Sequence, residues 1–274
     1  MSNFLIRPAI EHDSYQLAEL YTHSFMKMPI DSDQLKNVAQ RFRTEIRNQI
    51  LYYLVVEEKG NIIGMGGETR HIGSSFIGAI GVVTDRRKQG IGSTIIQRLL
   101  EQASVHNPTI ELIANLQRVN LYRRFGFEEI YRVHVIELLS NNHFKSDVNI
   151  SNSTIPKWLL DLDQKAMGFD RSRFLKFLII NQGAKLAYLD QKGYAMCIGS
   201  RIGPVIANDY FVSGSLVSPF LLSGPKMLIA SDAYESAYNR YSPKMIQTAL
   251  KMKIGDNLNT EISKVWGYHR FATS

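Results

Sequence analysis

Cysteine is nearly absent: Cys197 stands alone among 274 residues, which excludes an intramolecular disulfide and an all-cysteine metal site. No apolar run approaches the ~20 residues that cross a bilayer. The opening MSNFLIRPAIEHDS lacks the basic, apolar and small-residue order of a signal peptide. The seven histidines include no H-x-x-x-H spacing, so no metal site is expected. No block of five like charges occurs, and no nucleic-acid-binding motif, P-loop or G-x-G-x-x-G dinucleotide fingerprint is found. These absences leave a cytoplasmic enzyme or binding protein without metal, membrane or nucleic-acid partner as the expectation, with homo-oligomer formation open.

What is present is an ordinary globular composition, 45% hydrophobic and 21% charged, long enough for one large domain or two smaller ones. The net charge is +7. Residues 1–140 carry 16 basic and 15 acidic side chains, whereas residues 141–274 carry 16 and 10, so the positive surplus lies in the second half. Such a surplus forms a solvated basic surface or favours an acidic partner.

Periodicity predicts the order β-α-α-β-β-β-α-β-α-β for the first half, a mixed α/β sheet domain. NFLIRPA reads as a strand, with Asp13 or Ser14 capping the helix SYQLAELYTHSF. DSDQLKNVAQRFRTEI predicts a second helix with Leu35, Val38, Phe42 and Ile46 on one face. LYYLVVEE and IIGMGGETRHI flank KGN as a hairpin. SFIGAIGVV is a central strand, and GIGSTIIQRLLEQASVHN a helix striped by Ile91, Ile95 and Leu99, with Leu100 at its margin. TIELIAN is another strand, QRVNLYRRFG a short helix ended by Gly126, and FEEIYRVHVIELL the closing strand.

Residues 141–154, polar and rich in Asn and Ser, read as a linker between domains at 1–140 and 155–274. Beyond it, KWLLDLDQKAMGFDRSRFLKFLIINQG predicts two helices. AKLAYLD and YAMCIGSRIGPVIA read as paired strands, followed by a helix and the strand PKMLIA. SPKMIQTALKMK reads as a helix and EISKVWGYHRF as a last strand. The alternation is like that of the first half, as an internal duplication would produce.

Residues 86–93, RRKQGIGS, lie at the joint of a strand and a helix. Glycines there let backbone amides point into a concavity at the helix start. The helix dipole adds partial positive charge at that point, so an anion such as a phosphate is stabilised.

In context, Val83-Thr84-Asp85-Arg86-Arg87-Lys88-Gln89-Gly90-Ile91-Gly92 resembles the acyl-CoA-binding motif of the GNAT N-acetyltransferases, R/Q-x-x-G-x-G/A at a helix start. Asn115-Leu116-Gln117-Arg118-Val119-Asn120-Leu121-Tyr122-Arg123-Arg124-Phe125-Gly126-Phe127 is similar to that family's N-x-x-A-x-x-L-Y-x-x-x-G-F, with Arg118 where a small residue is usual. The resemblance implies a GNAT fold and acetyl-CoA as co-substrate. It implies that the amides of Lys88, Gln89, Gly90, Ile91, Gly92 and Ser93 hold the pyrophosphate, with Arg87 and Lys88 nearby. Gly81, Val82 and Val83 then offer backbone groups to the pantetheine arm and the oxyanion. Asn115 faces that arm, although it also fits an Asx turn after a strand. The same pattern places Tyr122 to protonate the leaving thiolate. The general base stays open among Glu68, His71, Glu111 and a water relay, since each of these side chains also fits a solvated or hairpin-stabilising role.

Met167-Gly168-Phe169-Asp170-Arg171, Gly193-Tyr194 and Ile202-Gly203-Pro204-Val205 resemble the extra C-terminal domain of some bacterial GNAT proteins, a degenerate second acetyltransferase fold. That half lacks R-x-x-G-x-G, so one cofactor site per chain is expected. The expected activity is transfer of acetyl from acetyl-CoA to a primary amine, small molecule or peptide, by direct attack in a ternary complex. An acyl-cysteine intermediate is not expected, because Cys197 has no visible partner histidine. The alternative is a non-catalytic acyl-CoA-binding regulatory module.

Overall fold

The computed structural model describes residues 4–26, 31–139 and 147–270. Its contacts group into two compact units. The first takes the described residues up to Arg70 and then Ser74–Ile110; the second takes His71–Gly73 and the described residues from Glu111 onward.

The first unit runs β1 (Leu5–Pro8), α1 (Ser14–Phe25), α2 (Ser32–Arg47), β2 (Leu51–Glu58), β3 (Asn61–Arg70), β4 (Ser75–Val82) and α3 (Ile91–Ala103), and enters β5 (Thr109–Asn115). Strands β1 to β4 form an antiparallel meander in chain order. The β2–β3 turn is two residues long, with Glu58 opposite Asn61. Lys59 (φ 51°) and Gly60 (φ 81°) are both left-handed, the twist that suits a tight hairpin. Neither Asp13 nor Ser14 caps α1 through its side chain. The Asp13 carboxylate is held instead by two Arg7 nitrogens at 2.7 and 2.9 Å and accepts the Ile10 N–H at 2.8 Å. On α2 the face is as expected, with Phe42 buried and Leu35, Val38 and Ile46 half-buried.

Helix α3 ends at Ala103, before the SVHN of its expected span, and its stripe gains Ile96. The stripe lies on β3, where glycine makes the close approach possible. A Cβ at Gly66 would stand 2.4 Å from Ile95 Cγ2 and 2.9 Å from Leu99 Cδ1. Gly66→Ala is therefore expected to cost about 1–3 kcal/mol by overpacking. The check is a lower urea midpoint at unchanged m; an unshifted midpoint would contradict the close seating of α3.

The second unit continues from Glu111 of β5 through α4 (Val119–Arg123), β6 (Glu128–Leu138), β7 (Asn149–Ser151), α5 (Lys157–Met167) and α6 (Ser172–Gln182). It then runs β8 (Lys185–Leu189), β9 (Gly193–Ile198), β10 (Arg201–Ala207), α7 (Tyr210–Leu221), β11 (Lys226–Ser231), α8 (Tyr234–Tyr238), β12 (Lys244–Gly255) and β13 (Val265–Tyr268). From β7 to β12 this order repeats that of β1 to β6 element for element, so the duplication exists at the level of fold. Its core brings Leu216, Val217, Phe220 and Leu221 of α7 together with Ile202, Val205 and Ala195 of the sheet. No helix among the described residues is long and apolar enough to cross a membrane.

One expectation changes here. SPKMIQTALKMK is not a helix: Lys244–Gly255 form β12, paired antiparallel with β6 from Lys244 opposite Glu137 to Lys253 opposite Glu128. Ala249, Leu250, Lys251 and Met252 are buried in succession. A strand covered on both faces shows no alternation, so periodicity alone cannot tell it from a buried helix. By contacts alone the units meet at Ile110 and Glu111, a grouping distinct from the domain bounds expected at the polar stretch 141–154. Strand β12, not the chain-adjacent β6, lies beside β5, and β6 lies between β12 and β11. The closing strands of the two repeats are thus exchanged, which gathers residues from Glu111 onward into one unit. Of the expected linker, residues 141–146 lie outside the described residues, and Asn149–Ser151 form β7, paired with β8.

Candidate functional site

Strand β4 does not run smoothly into the turn that follows it. Between Met65 and Gly67 of β3, β4 steps from Gly81 to Gly78, a bulge with Ala79 at φ 52°. Bulges leave backbone groups outside the ladder and recur beside active sites. The glycines at 78 and 81 were the only signal of it in the sequence, which reads simply as a buried strand.

After Val82 the chain makes a short turn over Thr84–Arg86, and Gly90 (φ 83°) becomes the N-cap of α3. No side chain caps this helix end. The amides of Ile91, Gly92 and Ser93 are first-turn donors with no acceptor inside the helix. A Cβ at Gly90 meets nothing within 4 Å, and one at Gly92 meets only Val82 Cγ2, at 3.8 Å. Gly90 is required by its left-handed backbone. At Gly92 nothing in the protein crowds a side chain. Lys88 also takes a left-handed conformation (φ 61°), unusual for a side chain of its size.

The three positive charges of the turn have different fates. Arg86 is paired with Glu58. Lys88 is exposed. Exposed Arg87 folds back, its Nε donating to the Val82 carbonyl at 3.0 Å. Gln89 gives its side-chain amide to the Asp85 carbonyl at 3.2 Å. The Val83 N–H donates to the Ile63 carbonyl at 3.0 Å. Two of the backbone groups expected to meet a pantetheine arm, the Val82 carbonyl and the Val83 N–H, are thus already partnered within the chain. A cavity of about 400 Å³ opens beside Val83, Thr84 and Arg87, walled across from them by Gln16, Leu20 and His23 of α1.

The repeat offers an internal comparison. Where α3 starts from an open glycine, α7 starts from Asp209, whose carboxylate accepts the Val212 N–H at 2.9 Å. An intramolecular anion already caps that helix end.

In the second unit, Asn115 is exposed at the end of β5, and its Oδ1 accepts the Gln117 N–H at 3.1 Å. That is the Asx turn, which leaves its NH₂ for other contacts. Tyr122 on α4 meets the edge of Phe127, with ring centroids 5.9 Å apart. Burial pushes its phenol up to about 12, against a smaller opposing pull from Arg118. At neutral pH it is a protonated donor.

The candidate bases belong to two separate buried networks. Glu68, fully buried, accepts the Ser75 hydroxyl at 2.9 Å and ion-pairs with Arg70 at 3.1 Å, while Asn107 donates to Ser75 Oγ at 2.9 Å. Glu111, on β5 of the second unit, ion-pairs with Lys251 of β12 at 3.2 Å. His71 stacks on Phe169 and meets the edge of Phe174. Lys251 is the residue that sequence reasoning missed, because its stretch reads as a helix.

Two family models match the chain, each described as an acetyltransferase (GNAT) domain, over residues 49–129 and 159–267. A Pyrococcus horikoshii structure described as that of a candidate acetyltransferase matches with a TM-score of 0.90 at 23% identity, covering 100% of this chain and 97% of its own. A GCN5-related N-acetyltransferase from Sphaerobacter thermophilus matches at TM-score 0.62 and 14% identity, covering 94% and 98%. Another from Anabaena variabilis gives TM-score 0.56 and 16% identity, covering 92% and 72%. At these identities the structures speak for the fold. No curated protein matches the sequence.

Proposed function

The chain belongs to the GNAT acetyltransferases, and from that premise we propose that it moves an acetyl group from acetyl-CoA to a primary amine by direct attack in a ternary complex. The observation that carries this reading is the uncapped start of α3, with Gly90 left-handed and open space above Gly92. The residues that would hold the pyrophosphate are the amides of residues 88–93, with Arg87 and Lys88 supplying charge. Acetyl-CoA supplies an activated thioester; what remains for the chain is to hold it, to receive charge and to move protons.

As the amine attacks, the C–N bond forms and charge builds on the carbonyl oxygen, where a backbone N–H from residues 79–82 is suited to meet it. The C–S bond then breaks. Tyr122 donates its phenolic hydrogen toward the departing sulfur. With the phenol at about 12 and an ordinary thiol near ~8.5, complete transfer is uphill, so Tyr122 acts by hydrogen bonding more than by full protonation. The attacking amine must first lose its proton, for which Glu68, His71, Glu111 and a water relay remain the candidates. Cys197 is an unsuitable acyl carrier: it is buried, burial raises its thiol, and its Sγ lies 3.6 Å from the Gly199 carbonyl.

Kinetics test the order of events. Double-reciprocal plots with both substrates varied are expected to intersect, and intact mass after incubation with acetyl-CoA alone is expected to be unchanged. Parallel lines together with a protein heavier by one acetyl group would replace direct attack with an acyl-enzyme route.

A further inference from the structure

The exchanged strands border a cavity of about 190 Å³ in the second unit, largely apolar, with a few charged and hydroxyl groups set into its wall. It is below the ~300–1,000 Å³ of sites for drug-sized ligands and suits a molecule of amino-acid size. Glu111 of β5 and Lys251 of β12 line it, only 5% and 1% exposed, with Lys251 Nζ 3.2 Å from Glu111 Oε2. Tyr268 and Tyr131 complete the polar wall, their hydroxyls bonded to each other, and the Lys251 ammonium lies 4.7 Å from the Tyr268 ring centre. Burial lowers Lys251 against the opposing pull of Glu111, and burial raises both tyrosines. The end of α5 is tied to the loop beyond β12: Thr260 Oγ1 donates to the Met167 carbonyl and the Glu261 N–H to that of Ala166, both at 2.9 Å. The cavity is therefore framed by fixed backbone.

Stability does not explain this arrangement. A buried ion pair is commonly no better than apolar residues of the same volume, and an empty space forfeits dispersion contacts. Glu111 Oε2 is buried, and its contact with the Lys251 ammonium at 3.2 Å is an ion pair out of line for a full hydrogen bond. Half-buried Lys253, two residues along β12 from Lys251, also lines the cavity. It gives one N–H to the Gly255 carbonyl at 3.1 Å, and an ammonium carries three such donors. Among the lining residues one carboxylate thus stands with two ammonium groups, and Glu128, opposite Lys253 across the ladder, makes no ion pair with it among the described residues. The missing complement is a hydrogen-bond donor for Glu111 and an anion for Lys253, carried on a ligand of net negative charge.

We propose that this cavity binds a small primary amine bearing carboxylates, an acidic amino acid by class, with its ammonium donating to Glu111 and a carboxylate meeting Lys253. Acetyl transfer is not a premise of this assignment. The amino acid held here is either the acceptor or an effector, and the test separates the two.

Calorimetric titration of the full chain with L-aspartate and L-glutamate is expected to give saturable binding of at least one of them. Succinate and glutarate, which lack the amine, are expected to bind about tenfold more weakly or worse. Lys253→Met, at a half-buried rim position, should keep the melting temperature and lose about tenfold in affinity. Because Glu111→Gln alone would strand the Lys251 charge, the pair is removed together as E111Q/K251M, with loss of binding expected. The assignment is overturned by no binding up to about 10 mM, by equal binding of the amine-free acids, or by an unchanged affinity in Lys253→Met. Added acetyl-CoA then identifies the ligand's role: an N-acetylated amino acid marks the acceptor and an unchanged one the effector, and either supports the site. Failure of acetyl-CoA to bind would count against the acetyltransferase reading alone.

Discussion

Gly92→Glu abolishes the thermal stabilisation that acetyl-CoA confers on the protein, while leaving the unliganded melting temperature close to that of the wild type. The second half of this expectation comes from geometry. The position is helical, and a Cβ there meets only Val82 Cγ2 at 3.8 Å, an ordinary contact. The first half comes from charge and space. A carboxylate on the first turn of α3 would occupy the region that the open amides offer to a phosphate, and it would repel that phosphate. A ligand at about 100 times its Kd stabilises by about 2.7 kcal/mol, several degrees for a chain of this size. Its disappearance is easy to read. Gly92→Ala should reduce the shift by less, since it adds bulk without charge. Gly90→Glu is the less clean variant: at φ 83° any side chain is strained, so loss of binding there mixes fold and site. A full ligand shift in Gly92→Glu would move the anion site away from this turn.

The second large effect concerns Tyr122→Phe. The hydroxyl is asked to act only as the thiolate leaves, so kcat and kcat/KM should fall together, with acetyl-CoA affinity unchanged. Proton donation of this kind is commonly worth about 10²–10⁴-fold. A phenol raised to about 12 is a reluctant acid, which puts the expected loss at the low end, ~10²-fold. The ring itself is kept, and with it the contact to Phe127. Full activity in the variant would make Tyr122 a packing residue. A loss confined to acetyl-CoA affinity would make its hydroxyl a contact to the bound cofactor.

The parts of this molecule that could be read from the chain are those where local chemistry leaves a local signature. A turn that enters a helix with no side-chain cap needs glycine where the backbone is left-handed, so residues 86–93 declare that turn at Gly90; the anion it would hold is the proposal above. The strand–helix order of the first half was legible for a similar reason, since its helices and strands carry different periods. What escaped depends on partners far along the chain. β12 looks helical until it is seen buried against β6 on one side and β5 on the other. With β12 misread, Lys251 could not be placed beside Glu111, and the cavity between the exchanged strands had no signal at all. The same exchange explains why the polar stretch at 141–154 does not mark the division between compact units. Asp13 shows the limit of a local rule: it sits where a cap is expected, and a longer-range partner, Arg7, takes its carboxylate.

The most direct measurement of the central claim is the mass of the products. Wild type and Gly92→Glu are each incubated with acetyl-CoA and a panel of amines that includes amino acids, polyamines, aminoglycosides and peptides, and released thiol is followed in parallel. The expected result is an amine heavier by one acetyl group, formed with stoichiometric free thiol by the wild type and not by Gly92→Glu. Tight acetyl-CoA binding by the wild type with no acetylated amine across the panel would contradict catalysis and leave an acyl-CoA-binding regulatory module.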